Sequence, residues 1–303
     1  MILTVTFNPA VDHTIEIEED LTDEKVSRTS DSKFSAGGNG INVAEYLTAL
    51  GDRAEATGPV GGFTGEFLKN TLTEEAVKSD FVDTNGLTRL NETILADGEE
   101  YKINQEGPKL GDHVVRKVID RIEEADPEYV LVAGSLPPGL DAEDVDRIAK
   151  KFNGETVADL HGDVLRQLEE EYLFAKPNRE ELEEAVQTEV NSFQDAVEAA
   201  KKLKSEQNFE KVFASLGEDG VVLVTEERTL QADILPVEVA DTVGAGDALV
   251  SGILSGLSRG LSWEDSLRRG MAVSRKVVSV EGTSMPKFEK VHEYSDKVEI
   301  EEI

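Results

Sequence analysis

Short β-branched runs alternating with longer amphipathic ones narrow the possible folds of this chain more than any other feature. Tyr129-Val-Leu-Val-Ala133, Thr156-Val-Ala-Asp159, Lys211-Val-Phe-Ala-Ser215 and Val221-Val-Leu-Val224 have the length and composition of strands. His113–Ala125, Ala142–Phe152, Phe193–Lys204 and Asp247–Leu257 carry helical spacing. Such alternation predicts an α/β fold with a largely parallel sheet, and Met1–Phe7 reads as its first strand. No internal repeat, low-complexity tract or linker divides the 303 residues, which are expected to form a single domain.

Two stretches break the alternation. Thr14–Phe34 and Thr88–Glu106 read as extra β-structure outside the main sheet, with Asp97-Gly98 as a hairpin turn between two strand-like runs. Segments at about 13–35 and 88–107 are therefore expected to form a lid over the carboxyl ends of the strands, where open α/β sheets bind ligands. A β-extension of the sheet edge would leave the same pattern.

Lys and Arg number 31 against 63 Asp and Glu, a formal charge of −32, so the chain lacks the basic surface that nucleic acid requires. The acids are spread through runs such as Arg179-Glu-Glu-Leu-Glu-Glu-Ala-Val186, which mix them with core residues. This composition describes a folded domain with an acidic surface rather than a solvated tail. Self-repulsion of that size opposes compaction unless salt screens it, and near 1 M the Debye length falls to ~3 Å. A salt-rich cytoplasm is the expected setting. The absence of cysteine excludes disulfides, thiolate nucleophiles, iron–sulfur clusters and thiolate zinc sites. The first residues lack signal-peptide character, and no run of ~18 apolar residues offers a membrane span.

Asp241-Thr-Val-Gly-Ala-Gly-Asp247 follows the strand-like Pro236–Ala240 and opens the apolar run Ala248–Leu254. Gly244, Ala245 and Gly246 let backbone N–H groups converge at a helix N-terminus, an anion hole, and Asp247 beside it can take a proton from an attacking hydroxyl. Taken alone, the segment also reads as an N-cap aspartate in a glycine turn. Ala36-Gly-Gly-Asn-Gly-Ile-Asn42 again places glycines at a helix start, but too far from the first strand for a dinucleotide fingerprint. It lets a polar ligand approach the backbone, with Asn42 offering donor and acceptor groups to sugar hydroxyls. In Lys176-Pro-Asn-Arg-Glu-Glu181, Asn178 and Glu181 share one helical turn and could orient water around magnesium, although asparagine is also a common cap. Ser135 is followed by Pro137 where a nucleophile elbow needs glycine, which excludes serine hydrolysis. His13, His113, His161 and His292 show no paired metal spacing.

Together these segments resemble the PfkB (ribokinase-like) carbohydrate kinase family over Phe7 to about Gly282. Gly37–Ala44 and Asp241–Asp247 correspond to its two signatures, with Lys176-Pro-Asn178, the Asn178/Glu181 pair and Ser215-Leu-Gly217 in order between them. Asn8-Pro-Ala-Val-Asp12, Thr88-Arg-Leu-Asn91, Asn104–Pro108 and Ala133–Gly139 are similar to the 1-phosphofructokinase and tagatose-6-phosphate kinase subgroup. The resemblance implies a three-layer α/β/α domain with a mostly parallel central sheet and a small β-sheet lid, and the acidic charge balance implies that it comes from a halophile. It implies an ATP-dependent kinase of fructose 1-phosphate, with kinases of fructose 6-phosphate or tagatose 6-phosphate, or a silent sugar-phosphate binder, as alternatives.

By the same resemblance Asp247 is the base, and Gly244, Ala245 and Gly246 form the anion hole. Asp12, Gly38 and Asn42 bind sugar hydroxyls, and Arg28, Arg89 and Ser135 hold the existing phosphate. Lys176, Asn178, Ser215 and Gly217 join Gly244 and Gly246 at the nucleotide. Asn178 and Glu181 would hold Mg2+ through water, a monovalent cation (K+) would lie near Asp241, and a homodimer would form through the lid. Asn39 departs from the subgroup, where many members carry lysine.

Overall fold

The computed structural model describes residues 1–18, 21, 26–29, 31–280 and 285–303. Residues 19–20, 22–25 and 30 of the expected lid, and 281–282 at the end of the family resemblance, lie outside the described residues. The strands are β1 (Ile2–Val5), β2 (Ala10–Ile17), β3 (Asp31–Gly37), β4 (Ala54–Thr57), β5 (Pro59–Val60), β6 (Val82–Asp83), β7 (Arg89–Ala96), β8 (Glu99–Asn104), β9 (Tyr129–Gly134), β10 (Glu155–Leu160), β11 (Tyr172–Ala175), β12 (Phe209–Ser215), β13 (Val221–Val224), β14 (Thr229–Ala232) and β15 (Ile300–Glu302). The helices are α1 (Asn39–Ala49), α2 (Gly62–Glu74), α3 (Asp112–Ala125), α4 (Ala142–Lys151), α5 (Gly162–Leu165), α6 (Arg179–Val186), α7 (Phe193–Glu206), α8 (Ala245–Leu257), α9 (Trp263–Val277) and α10 (Val291–Ser295).

The main sheet has the order β15-β14-β13-β12-β11-β10-β9-β1-β4. Strands β4 through β12 in that order pair in parallel, and β13, β14 and β15 join antiparallel. Successive side chains enter opposite layers. Val130 and Val132 of β9 pack with Val118 and Ile122 of α3 and Val145 of α4, whereas Leu131 and Ala133 pack with Val43 and Leu47 of α1 and Leu249 and Ile253 of α8. This period of two is why the central strands are apolar throughout and need a helical layer on each face. The expected α/β architecture and its largely parallel sheet are therefore present.

A separate four-stranded sheet has the order β3-β2-β7-β8. The Asp97-Gly98 turn joins β7 to β8 with both residues at positive φ, 46° and 82°, as a two-residue hairpin demands. Asp12 of β2 stands opposite Asn91 of β7 in parallel register. Alternation then puts His13, Ile15, Ile94, Tyr101 and Ile103 on the other face. There His13 stacks on Phe34 at 4.0 Å, while Tyr101 and Ile103 remain 47% and 53% exposed.

The strand expected over Pro236–Ala240 is absent, and this stretch is irregular. Pro236 has no N–H to give a ladder, and its carbonyl accepts from Arg275 Nε and Nη2 of α9 at 3.1 and 3.0 Å. The Ala240 N–H is taken by the Val278 carbonyl at 2.8 Å. Side-chain and helix-end partners replace a neighbouring strand.

Candidate active site

The carboxyl ends of β1, β9, β10, β11 and β12 lead to Asn8, Ser135, Asp159, Lys176 and Ser215, which lie beside the small sheet or the start of α8. Asp247 occupies the first turn of α8 and is 6% exposed. Asn39 Nδ2 donates to its Oδ1 at 3.0 Å and Asn42 Nδ2 to its Oδ2 at 2.7 Å. Both amides sit on α1, three residues apart and hence on one face. Burial, reinforced by Asp159, pushes the Asp247 carboxyl up to about 7, against the two amides and Lys176. A carboxylate that titrates near neutrality is suited to accept a proton at working pH.

Gly244 precedes α8 with φ 76°, a left-handed conformation that a β-carbon would strain, and such a carbon would also stand 2.5 Å from the Tyr46 hydroxyl. The Ala245 N–H is spent on the Thr242 carbonyl at 3.2 Å. The N–H groups of Gly246 and Asp247 belong to the first helical turn, where no intrahelical acceptor exists.

Lys176, just past β11, pairs with Asp159 near the end of β10 at 3.2 Å, and both are buried. Burial would lower the Lys176 ammonium, but Asp159, Glu181 and Asp247 hold it above its ordinary value. Burial raises Asp159 against the pull of Lys176, and Asp159 Oδ2 is buried with no hydrogen-bond partner. Asn178 and Glu181 cap α6 reciprocally. Asn178 Oδ1 accepts from the Glu181 N–H at 2.9 Å, and Glu181 Oε2 from the Asn178 N–H at 2.8 Å. The capping role that their spacing left open is thus realised. Among the described residues no three carboxylates or histidines form a metal cage.

On the small-sheet side, Asn91 Nδ2 donates to Asp12 Oδ1 at 2.9 Å, and burial raises the Asp12 carboxyl against that bond and against Arg89. A side chain at Gly37 would collide with Asp12, its β-carbon standing 2.1 Å from Oδ2. Arg89 donates from Nε to the Asn8 carbonyl at 3.1 Å and from Nη1 to the Gln105 carbonyl at 3.2 Å. Asn8 Nδ2 in turn reaches Ser135 Oγ at 3.1 Å. Arg89, Asn8 and Ser135 form one cluster. Arg28 is exposed between β2 and β3, and among the described residues no hydrogen bond or ion pair ties it to that cluster.

Ser215, Gly217, Asn178, Ala245 and Gly246 border a cavity of about 460 Å3 whose other walls are largely apolar, including Val221, Leu235, Val237, Met271 and Val278. Of the residues named from sequence, Asn42, Lys176, Glu181 and Asp247 are linked by contacts or by electrostatic influence, and Asp12 joins Asp247 in raising the buried Glu45. Asp159 and Tyr46 were missed, and Asn8 and Asn91 stood in the family-like motifs with no role given to them. The one signal for Asp159 was a carboxylate closing an apolar strand; Tyr46 meets the site only through the fold, and so do the particular partners of Asn8 and Asn91.

A model of the pfkB family carbohydrate kinases matches residues 5–290. The chain belongs to this family. It is a phosphotransferase with an alcohol acceptor. This pfkB kinase is 46% identical over 300 residues to the 1-phosphofructokinase of Haloferax volcanii, covering 99% of this chain and 98% of that relative. The solved structure of phosphofructokinase-2 from Escherichia coli in complex with potassium superimposes with a TM-score of 0.88 at 28% identity, covering 98% of each chain. Ribokinase from Arabidopsis thaliana, solved with ribose and ATP, gives 0.79 at 22% identity over 97% and 98%, which places the pfkB kinase in the ribokinase-like fold.

Proposed function

We propose that this pfkB kinase is a 1-phosphofructokinase that transfers the γ-phosphoryl group of ATP to the free primary hydroxyl of fructose 1-phosphate. The observation that carries the reading is Asp247, a buried carboxylate titrating near neutrality beside helix N–H groups with no helical acceptor. The Haloferax volcanii relative supports the choice of sugar. In the transfer the hydroxyl proton passes to Asp247, the sugar oxygen bonds to the γ-phosphorus, and the bond to the leaving ADP oxygen breaks. The first turn of α8 stabilises the charge that develops on the transferred group.

Asp12, Gly38 and Asn42 hold the sugar hydroxyls, with Asp12 oriented by Asn91. Arg89, Ser135 and Arg28 take the existing phosphate. The 460 Å3 cavity takes the nucleotide base, with Ser215 and Gly217 at its edge and Lys176 toward the phosphates. Hard oxygen donors suit Mg2+, and the unpartnered Asp159 Oδ2 and the spare oxygen of Glu181 supply them, with Asn178 holding Glu181 in place. Bound with the phosphates, magnesium would neutralise their charge. A monovalent cation is assigned to the loop at Asp241, whose Oδ1 already accepts from the Val243 N–H at 2.9 Å; exchange of K+ for a bulky organic cation would leave activity unchanged if this is wrong.

The small sheet acts as a lid whose polar face carries Asp12 and whose apolar face, with Ile94, Tyr101 and Ile103, is covered by a second copy. The acidic chain works in a salt-rich cytoplasm. Coupled ADP release with a panel of phosphosugars tests the assignment: fructose 1-phosphate should lead in kcat/KM. A preference for fructose 6-phosphate or tagatose 6-phosphate overturns it, as does equal use of free fructose.

A further inference from the structure

Asn39 has no part in the roles assigned so far, yet it is bonded to the proposed base. It stands at the first helical position of α1, and its Nδ2 holds Asp247 Oδ1 at 3.0 Å while Asn42 holds Oδ2 at 2.7 Å. Asn39 Oδ1 lies toward Gly134, 3.2 Å from where a β-carbon there would stand, so the side-chain amide spans from the end of β9 to the base. Each carboxylate oxygen keeps a further lone pair for an incoming hydroxyl.

We infer that Asn39 is a positioning residue for phosphoryl transfer, whose amide fixes the plane of the Asp247 carboxylate so that one oxygen stays aimed at the acceptor hydroxyl. This rests on Asp247 being the base. Asn42 cannot hold the carboxylate alone, because a single bond to one oxygen leaves the group free to rotate about its last torsion. Asn42 is also the residue that must serve a sugar hydroxyl, so Asn39 is the donor that can remain through the reaction.

The amide contributes electrostatically as well. Asp247 is faced by Asp159 and Lys176 from the ends of β10 and β11, and by Glu45 and Tyr46 from α1. Lys176 is the one cation among these neighbours, and it is shared with Asp159 and Glu181. A neutral donor on Oδ1 favours the ionised base without adding a charge that the substrate phosphate would also attract.

The test uses Asn39→Ala and Asn39→Asp in the full chain, with Asp247→Asn alongside. Alanine favours the helix and aspartate suits its first turn, so both variants should melt within a few degrees of the wild type. Asn39→Ala should lower kcat by ~10–100-fold, the loss of a hydrogen bond to a charged group, with both KM values nearly unchanged. The acidic limb of its kcat/KM profile should move up by about one pH unit, because the ionised base has lost a donor. Asn39→Asp keeps the shape but replaces the donor with a like charge, so it should be slower still and shifted further. An aspartate variant equal to the wild type would reduce Asn39 to a space filler, and unchanged pH limbs in both variants would equally overturn the inference. If Asp247→Asn keeps near-normal kcat, the base assignment itself fails, whatever the Asn39 variants do.

Discussion

Asp247 lets the conflict between stability and catalysis be measured in one substitution. Its carboxyl is raised from 3.8 to about 7, chiefly by burial. That difference of roughly three pK units corresponds to about 4 kcal/mol by which the fold disfavours the ionised form. The sign follows from linkage. A carboxyl with a raised folded pKa contributes stability in its protonated form, fully present below its unfolded value; this is lost as pH rises and is gone above the folded one.

Asp247→Asn removes the titration but leaves one acceptor oxygen facing two amide donors, Asn39 and Asn42, at a cost of about 1–3 kcal/mol that does not change with pH. The variant should therefore be ~1–3 kcal/mol more stable than the wild type at about pH 8, and its advantage should shrink by ~2–3 kcal/mol on going to about pH 5. Urea unfolding followed by circular dichroism in concentrated KCl measures both values. The same protein should lose ~10²–10⁴-fold in kcat with ATP binding kept. An advantage that is constant with pH, or that grows toward acid, would refute the reasoning, because the buried charge would then not be what the fold resists.

Arg89→Ala should raise KM for fructose 1-phosphate by at least ~10-fold and leave KM for ATP nearly unchanged, since the guanidinium sits with Asn8 and Ser135 rather than at the nucleotide cavity; an equal rise in both would remove it from the phosphate clamp. Ile94→Lys places a charge on the apolar face of the small sheet, and sedimentation velocity should show the wild type as a dimer and the variant as a monomer with its circular dichroism intact; a monomeric wild type ends that proposal. With a net charge of −32, lowering KCl should unfold the chain cooperatively, and full activity with a native spectrum at ~0.1 M, where the Debye length is still ~10 Å, would contradict a dependence on screening.

The sequence by itself determined the strands and helices whose spacing is set locally. Val221–Val224 is the strand expected, and α4 ends at Lys151, one residue short of the expected Phe152. Asp97-Gly98 announced its hairpin because two adjacent positive φ angles select those residue types. The glycine turn before Asp247 was legible for the same reason: a left-handed φ at Gly244 leaves a mark in the chain. Pro236–Ala240 misled, because its apolar alternation serves the wall of a cavity and Arg275 of α9 satisfies its carbonyl.

Tertiary structure alone decided the electrostatics of the site. Asp159 joins Lys176 across neighbouring strands, Asn91 meets Asp12 through strand register, and Asn39 reaches Asp247 over 208 positions of sequence. No periodicity encodes such contacts, because each depends on how two elements pack. The pKa of Asp247 depends likewise on the water excluded around it, a property of the assembled layers and not of any segment.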